Sequence, residues 1–161
     1  MKTKIINQDD LASLVEKYKT EGKTVAATGG CFDILHAGHV QYLEKAKSFG
    51  DILILFLNSD NSIKRIKGEK RPIVPENERA QVIAGLGCID YVCVFDEDTP
   101  CQVIEKIKPD VWVKGADYKN KTVPEQKILA GYGGKIEYID FLDGCSSTNI
   151  ITKILDVYKE S

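Results

Sequence analysis

Leu11, Leu14, Val15 and Tyr18 recur at i, i+3, i+4 and i+7, the spacing of one buried helix face. They predict an amphipathic helix from about Asp9 to Glu21, stopped by Gly22. Val25-Ala26-Ala27-Thr28 then reads as a short apolar strand running straight into Gly29-Gly30. Val40, Leu43, Ala46 and Phe49 follow a second helical stripe, ended by Gly50. Ile52-Leu53-Ile54-Leu55-Phe56-Leu57 shows no alternation at all, as expected of a strand covered on both faces in a parallel sheet. Tyr91–Phe95, Val111–Val113 and Ile136–Ile139 predict further short strands.

Helices separate these strands. Thr99 and Pro100 predict an N-cap with proline at the first helical position, opening a helix that buries Val103, Ile104 and Ile107. Pro75 and Pro124 stand before glutamate-bearing first turns, where negative charge suits the helix dipole. A last helix carries Ile150, Ile151, Ile154, Leu155 and Tyr158 on one face. Lys64 to Glu78, rich in charge and interrupted by two prolines, reads as a loop over something. Strands alternating with helices predict an α/β, doubly wound, Rossmann-like parallel sheet of about five strands. At 161 residues, without repeat or linker, the chain is expected to form a single domain.

Composition alters this picture only by exclusion. A net charge of −2 gives no electrostatic reason to expect nucleic acid or an anionic membrane. Five cysteines, without paired CxxC spacing, fit neither a disulfide framework nor a structural zinc site, and point to free thiols in a reducing compartment. The N-terminal MKTKIINQDDL lacks an apolar run of signal-peptide length, and no segment approaches a membrane span. A soluble, cytoplasmic protein is expected.

The chemistry concentrates in the first strand–helix turn. In open α/β sheets, ligands bind beyond the carboxyl ends of the strands, and here that turn is Thr28 to His39. Its glycines permit close approach of backbone to ligand, and the following helix offers free N–H groups to an anion. It has neither GxGxxG nor GxxxxGK[ST], which removes the dinucleotide and P-loop readings. It has instead His36-Ala37-Gly38-His39, holding both histidines of the protein. Zinc is an alternative ligand for the pair, but no third ligand with suitable spacing accompanies it. No metal-ligating residues are assigned.

The run Thr28-Gly29-Gly30-Cys31-Phe32-Asp33-Ile34-Leu35-His36-Ala37-Gly38-His39 resembles the signature of the cytidylyltransferase-like nucleotidyltransferases, whose HxGH element class I aminoacyl-tRNA synthetases share. A KMSKS-like segment is absent, which argues against a synthetase. The resemblance extends through Asn58-Ser59-Asp60, Lys67-Gly68, Arg71-Pro72, Glu78-Arg79, Glu97–Pro100, Lys114-Gly115-Ala116-Asp117-Tyr118 and Asp143–Ile151. In these segments the chain is similar to the D-glycero-β-D-manno-heptose 1-phosphate adenylyltransferases, which form the second half of bifunctional ADP-heptose synthases. Those enzymes carry an N-terminal sugar kinase that this sequence lacks, so a kinase on a separate chain is the expected functional partner, unless the chain is an excised domain. Relatives also include dimers, and the first helix could join such an interface.

The resemblance implies transfer of AMP from ATP, with Mg²⁺, to a heptose 1-phosphate, feeding lipopolysaccharide or other surface glycan assembly. His36 and His39 would hold the α- and β-phosphate oxygens, with Lys67 beside them. The turn residues Thr28, Gly29, Gly30, Cys31, Phe32, Asp33 and Gly38 would surround the nucleotide together with Asn58 and Asp60. Within the basic cluster, Lys67, Arg71 and Arg79 are expected on phosphate and Lys64 less firmly, while Arg65 and Lys70 are surface. Ser146, Ser147 and Thr148 open the last helix and form a second anion site, whether or not they also cap it. Lys114, Gly115, Asp117 and Tyr118 follow a strand on the same sheet edge and would meet base or ribose. For Asp33 and Asp117 turn formation is the competing role, and for Trp112 core packing. Two other functions compete: a cytidylyltransferase acting on glycerol 3-phosphate or another small phosphate, and a binding module without catalysis.

Overall fold

The structure, a computed structural model, describes residues 3–159. Its centre is a five-stranded, all-parallel sheet of β1 (Val25–Gly30), β2 (Ile52–Asn58), β3 (Tyr91–Phe95), β4 (Val111–Gly115) and β5 (Lys135–Ile139), in the order β3-β2-β1-β4-β5. The chain moves outward from β1 to β3, then crosses back to the other side of β1. The switch point is therefore the crevice between the carboxyl ends of β1 and β4, where such sheets bind ligands. Lys4 and Ile6 also bond to Val92, covering the outer edge of β3.

Period-two alternation divides the apolar strands between two cores. Ala26, Leu53, Leu55, Leu57, Val111 and Val113 meet Tyr42, Leu43 and Ala46 of α2 (Ala37–Lys47) and Ala80 and Ile83 of α4 (Glu76–Ala84). On the other face Val25, Ala27, Ile54, Phe56 and Trp112 meet three helices. These are α1 (Gln8–Thr20), through Leu11 and Val15, α5 (Cys101–Ile107), through Val103, Ile104 and Ile107, and α6 (Glu125–Ala130), through Leu129. The unbroken apolar run of β2 is thus accounted for: Leu53 to Leu57 are all buried.

Two expectations need correction. Lys64–Glu78 is not one loop. Helix α3 (Asp60–Lys67) occupies its start, because Ser59 accepts from the Ser62 amide as N-cap and Ile63 is buried beneath it. Only residues 68–75 are irregular, leaving α3 through Gly68 at φ +99°. The fourth crossover helix α5 starts at Cys101, with Pro100 at the cap and no side-chain capping bond from Thr99. Helix α7 (Ser147–Tyr158) is amphipathic but buries none of its residues, and Leu155 and Val157 are each 63% exposed.

Candidate active site

Beyond β1 the backbone turns sharply. Phe32 takes a left-handed conformation at φ +46°, which folds its ring back over Gly30, where a Cβ would meet that ring at 2.8 Å. The ring lies 4.9 Å from that of His39. His36 is the N-cap residue of α2, and its imidazole stacks on His39 with centroids 3.8 Å apart. Gly38 fits between: a Cβ there would stand 2.9 Å from Cys145 Cβ and 3.0 Å from the His36 ring. The sequence HxGH is therefore what lets two imidazoles share one helix start.

Burial dominates their electrostatics. It pushes His39 down to about 4, helped by His36 and Lys67, and burial also lowers His36. Both rings are neutral at pH 7, and Nδ1 of each is buried without a partner among the described residues. Among the described residues neither is paired with a carboxylate of the kind that orients a general-base histidine, an arrangement suited to donating N–H to an acceptor more than to collecting a proton. Burial also raises the Cys31 thiol, which argues against a cysteine nucleophile.

Asp33 is buried and accepts from Arg71 Nε at 2.8 Å and from the Ile73 and Val74 amides, each at 2.9 Å. Burial raises its carboxyl, but the two amides and the guanidinium outweigh it and hold it below the ordinary value. Asp33 thus ties the 68–75 loop to the histidine turn. Ser147 exchanges hydrogen bonds with Ile34, accepting from its amide at 3.3 Å and donating to its carbonyl at 3.2 Å. This fastens the start of α7 beside the start of α2. Ser146 caps α7 by accepting from the Asn149 amide at 2.9 Å.

These parts enclose a cleft of about 720 Å³ at the switch point. Of the expected residues, Gly29, Gly30, Cys31, Phe32, Asp33, His36, His39, Asn58, Lys67, Arg71, Lys114, Gly115, Asp117, Tyr118, Ser146, Ser147 and Thr148 line it together. Lys67 has no carboxylate partner among the described residues.

Four expected residues are set elsewhere, and each for a visible reason. Arg79 has a wholly buried side chain bonded to Val74 O, Cys31 O, Asn58 O and Asp60 Oδ1, so it braces the floor and has no face for phosphate. Asp60 is turned to that guanidinium at 2.8 Å. Thr28 is fully buried, its hydroxyl bonded to Val113 O and Tyr42 OH. Gly38 lies buried under the histidines. Arg65, expected at the surface, pairs there with Asp98 at 2.7 Å.

Sequence reasoning missed other lining groups. Phe141 is half exposed, stacks on Tyr42 at 5.1 Å and rests where a Gly115 side chain would be. Glu125 is 1% exposed, and Lys114 Nζ donates to its Oε1 at 2.5 Å while lying 4.4 Å from the Tyr118 ring centre. Trp112 is core, as its competing role required, with its ring against Phe56, yet it also reaches the cleft. Pro124-Glu125 was legible only as a helix start, because nothing local marks a carboxylate that a lysine from β4 will bury.

Comparison with known proteins decides the class. The cytidylyltransferase-like family matches residues 27–153. The chain belongs to that family. It is a nucleotidyltransferase, and the matched residues take in the parallel sheet and the histidine turn. The chain is 55% identical over 157 residues to the bifunctional protein HldE of Geobacter metallireducens, covering 98% of this chain and 32% of that one. HldE of Geobacter sulfurreducens gives the same identity and coverage, and HldE of Campylobacter concisus is 56% identical over 134 residues, 83% of this chain and 28% of that one. The chain spans about a third of the length of these relatives. The lipopolysaccharide core biosynthesis protein from Thermoplasma volcanium has a crystal structure matching with a TM-score of 0.64 at 31% identity, over 76% of this chain and all of that one. No described helix is long and apolar enough to cross a membrane.

Proposed function

We propose that this chain transfers AMP from ATP to a sugar 1-phosphate, D-glycero-β-D-manno-heptose 1-phosphate, releasing pyrophosphate. The observation that carries the reading is the pair of stacked, neutral histidines at the start of α2, faced by the start of α7 and by the unpaired Lys67. Two helix N-termini, two imidazole donors and one free ammonium make a cradle for a triphosphate. The curated relatives add the acceptor class, through the heptose resemblance that the whole chain shares with them.

The acceptor phosphate has a second pKa of about 6 and arrives largely as a dianion, so no base is needed. One of its oxygens attacks the α-phosphorus, and the bond to the bridging oxygen breaks with its electron pair leaving on pyrophosphate. His36 and His39 donate to the α- and β-phosphate oxygens as charge moves onto them. Lys67 offsets the pyrophosphate charge, and Arg71, with Nε committed to Asp33, turns its remaining donors to the same anion. Phe141, seated over Gly115, offers an apolar face to the base.

Mg²⁺ would accompany the nucleotide. The protein offers it no cage: among the described residues no group of three or more His, Cys, Asp or Glu side chains gathers, and the Asp33 and Asp60 carboxylates are engaged by protein donors. The fit is to a cation held by phosphate oxygens, whose charge it would offset. The remaining length of the bifunctional relatives is where a sugar kinase supplying the acceptor would lie.

The test crosses ATP, CTP and GTP with heptose 1-phosphate and glycerol 3-phosphate, following pyrophosphate. Release with ATP and the heptose phosphate is expected. Release only with CTP, or only with glycerol 3-phosphate, would replace this reading by the cytidylyl one.

A further inference from the structure

The cleft has a second compartment that the phosphate chemistry does not use. Its walls come from the α5 and α6 face of the sheet, opposite the histidines. There Trp112 and Lys114 point the same way from β4, two residues apart, and Glu125 closes over them from α6. Two polar atoms in it have no partner among the described residues: Glu125 Oε2 and Trp112 Nε1. Both residues are at least 98% buried and both line the cleft. Buried polar groups are ordinarily satisfied, and a carboxylate with one oxygen bound by Lys114 and the other bare needs a reason.

The two atoms have opposite requirements. Glu125 Oε2 can only accept and Trp112 Nε1 can only donate. Their common ligand must therefore carry both a donor and an acceptor, which sugar hydroxyls do. An adenine edge also has both, but the base already has an apolar face at Phe141 and Tyr42, on the α2 side of the sheet. A carboxylate would also be repelled by the lone pairs of purine ring nitrogens.

Resting on the function proposed above, the geometry points to Glu125 Oε2 and Trp112 Nε1 as the groups that read hydroxyls of the acceptor sugar, with Lys114 holding Glu125 in position. The acceptor is then a polyhydroxylated phosphate, chosen for its hydroxyls as well as its phosphate. A site built to bond hydroxyls rejects an analogue lacking them, because its own buried groups are left bare.

Glu125→Gln and Trp112→Phe, which keep size and remove one function each, test this by calorimetric titration and steady-state kinetics. Each variant and the wild type are titrated with heptose 1-phosphate and, separately, with a non-hydrolysable ATP analogue. Affinity for the heptose phosphate should fall about 10- to 100-fold in Glu125→Gln and about 5-fold in Trp112→Phe, while the ATP analogue binds within about 2-fold. An acceptor KM that rises with little change in the KM for ATP is the same result in turnover. Weaker ATP-analogue binding with unchanged sugar binding overturns the proposal in favour of base recognition, and no change in either overturns it outright. If glycerol 3-phosphate proves to be the wild-type acceptor, the heptose reading fails by itself. The subsite is then judged by whether both variants weaken that acceptor.

Discussion

Arg71 and Arg79 come from one charged stretch and look interchangeable in sequence, yet they do different work. The Arg79 side chain has no exposure and spends its guanidinium on three backbone carbonyls and Asp60. Arg71 keeps 15% exposure, gives Nε to Asp33, and lines the cleft. What separates them is the element each sits on. Arg79 is on α4, which packs on the sheet, so its long side chain must run inward beneath the turn; Arg71 is on the 68–75 loop, outside the core. A buried arginine whose guanidinium is spent on four protein acceptors is a brace, while a partly open one keeps donors turned toward the cleft, available to an anion.

Three substitutions can break that contrast. Arg79→Met should cost about 3–5 kcal/mol, because it strands the Cys31, Val74 and Asn58 carbonyls and the Asp60 carboxylate. Urea denaturation measures it, and a loss below about 1 kcal/mol would deny the brace. Asp33→Asn should cost about 1–3 kcal/mol and raise the KM for ATP as well, since the loop carrying Arg71 loses its tie to the turn. Arg71→Met should cost about 1–2 kcal/mol, less than Arg79→Met because the buried Asp33 keeps the Ile73 and Val74 amides, and should raise the KM for ATP about 10-fold. A stable Arg79 variant with weakened ATP, or an unstable Arg71 variant with normal ATP, would exchange the two roles.

A separate expected effect is on acid stability. The folded His39 titrates near 4, below its ordinary 6.5, so folding favours the neutral ring. That contribution is complete above pH 6.5 and is lost as pH falls toward 4. The urea midpoint should therefore drop between pH 6.5 and 4, and drop less in His39→Gln. An equal drop in both would show that burial does not perturb this ring.

The frame was legible because its signals are local. The unbroken apolar β2 and the helices between strands announce a parallel sheet, and both histidines fall in one glycine-rich turn. The last turn of α3 was hidden inside a charged stretch because the signals for the helix, its cap Ser59 and its buried Ile63, precede the charges that dominate composition there. Arg79, Thr28 and Glu125 were illegible for another reason: a side chain's partners at 11 to 85 residues' distance decide whether it meets ligand or protein. The apolar face of α7 was legible as a pattern, but periodicity states that a face is apolar and not what covers it, and in the structure none of its residues is buried.

The central claim is that His36 and His39 act as neutral donors to the phosphates during nucleotidyl transfer. Single-turnover transfer of α-labelled AMP to heptose 1-phosphate, compared between wild type and His39→Ala at equal melting temperature, tests it most directly. The expected result is a transfer rate lowered by about 10²–10³ with nucleotide affinity little changed. A folded His39→Ala protein that transfers AMP at the wild-type rate would contradict the mechanism.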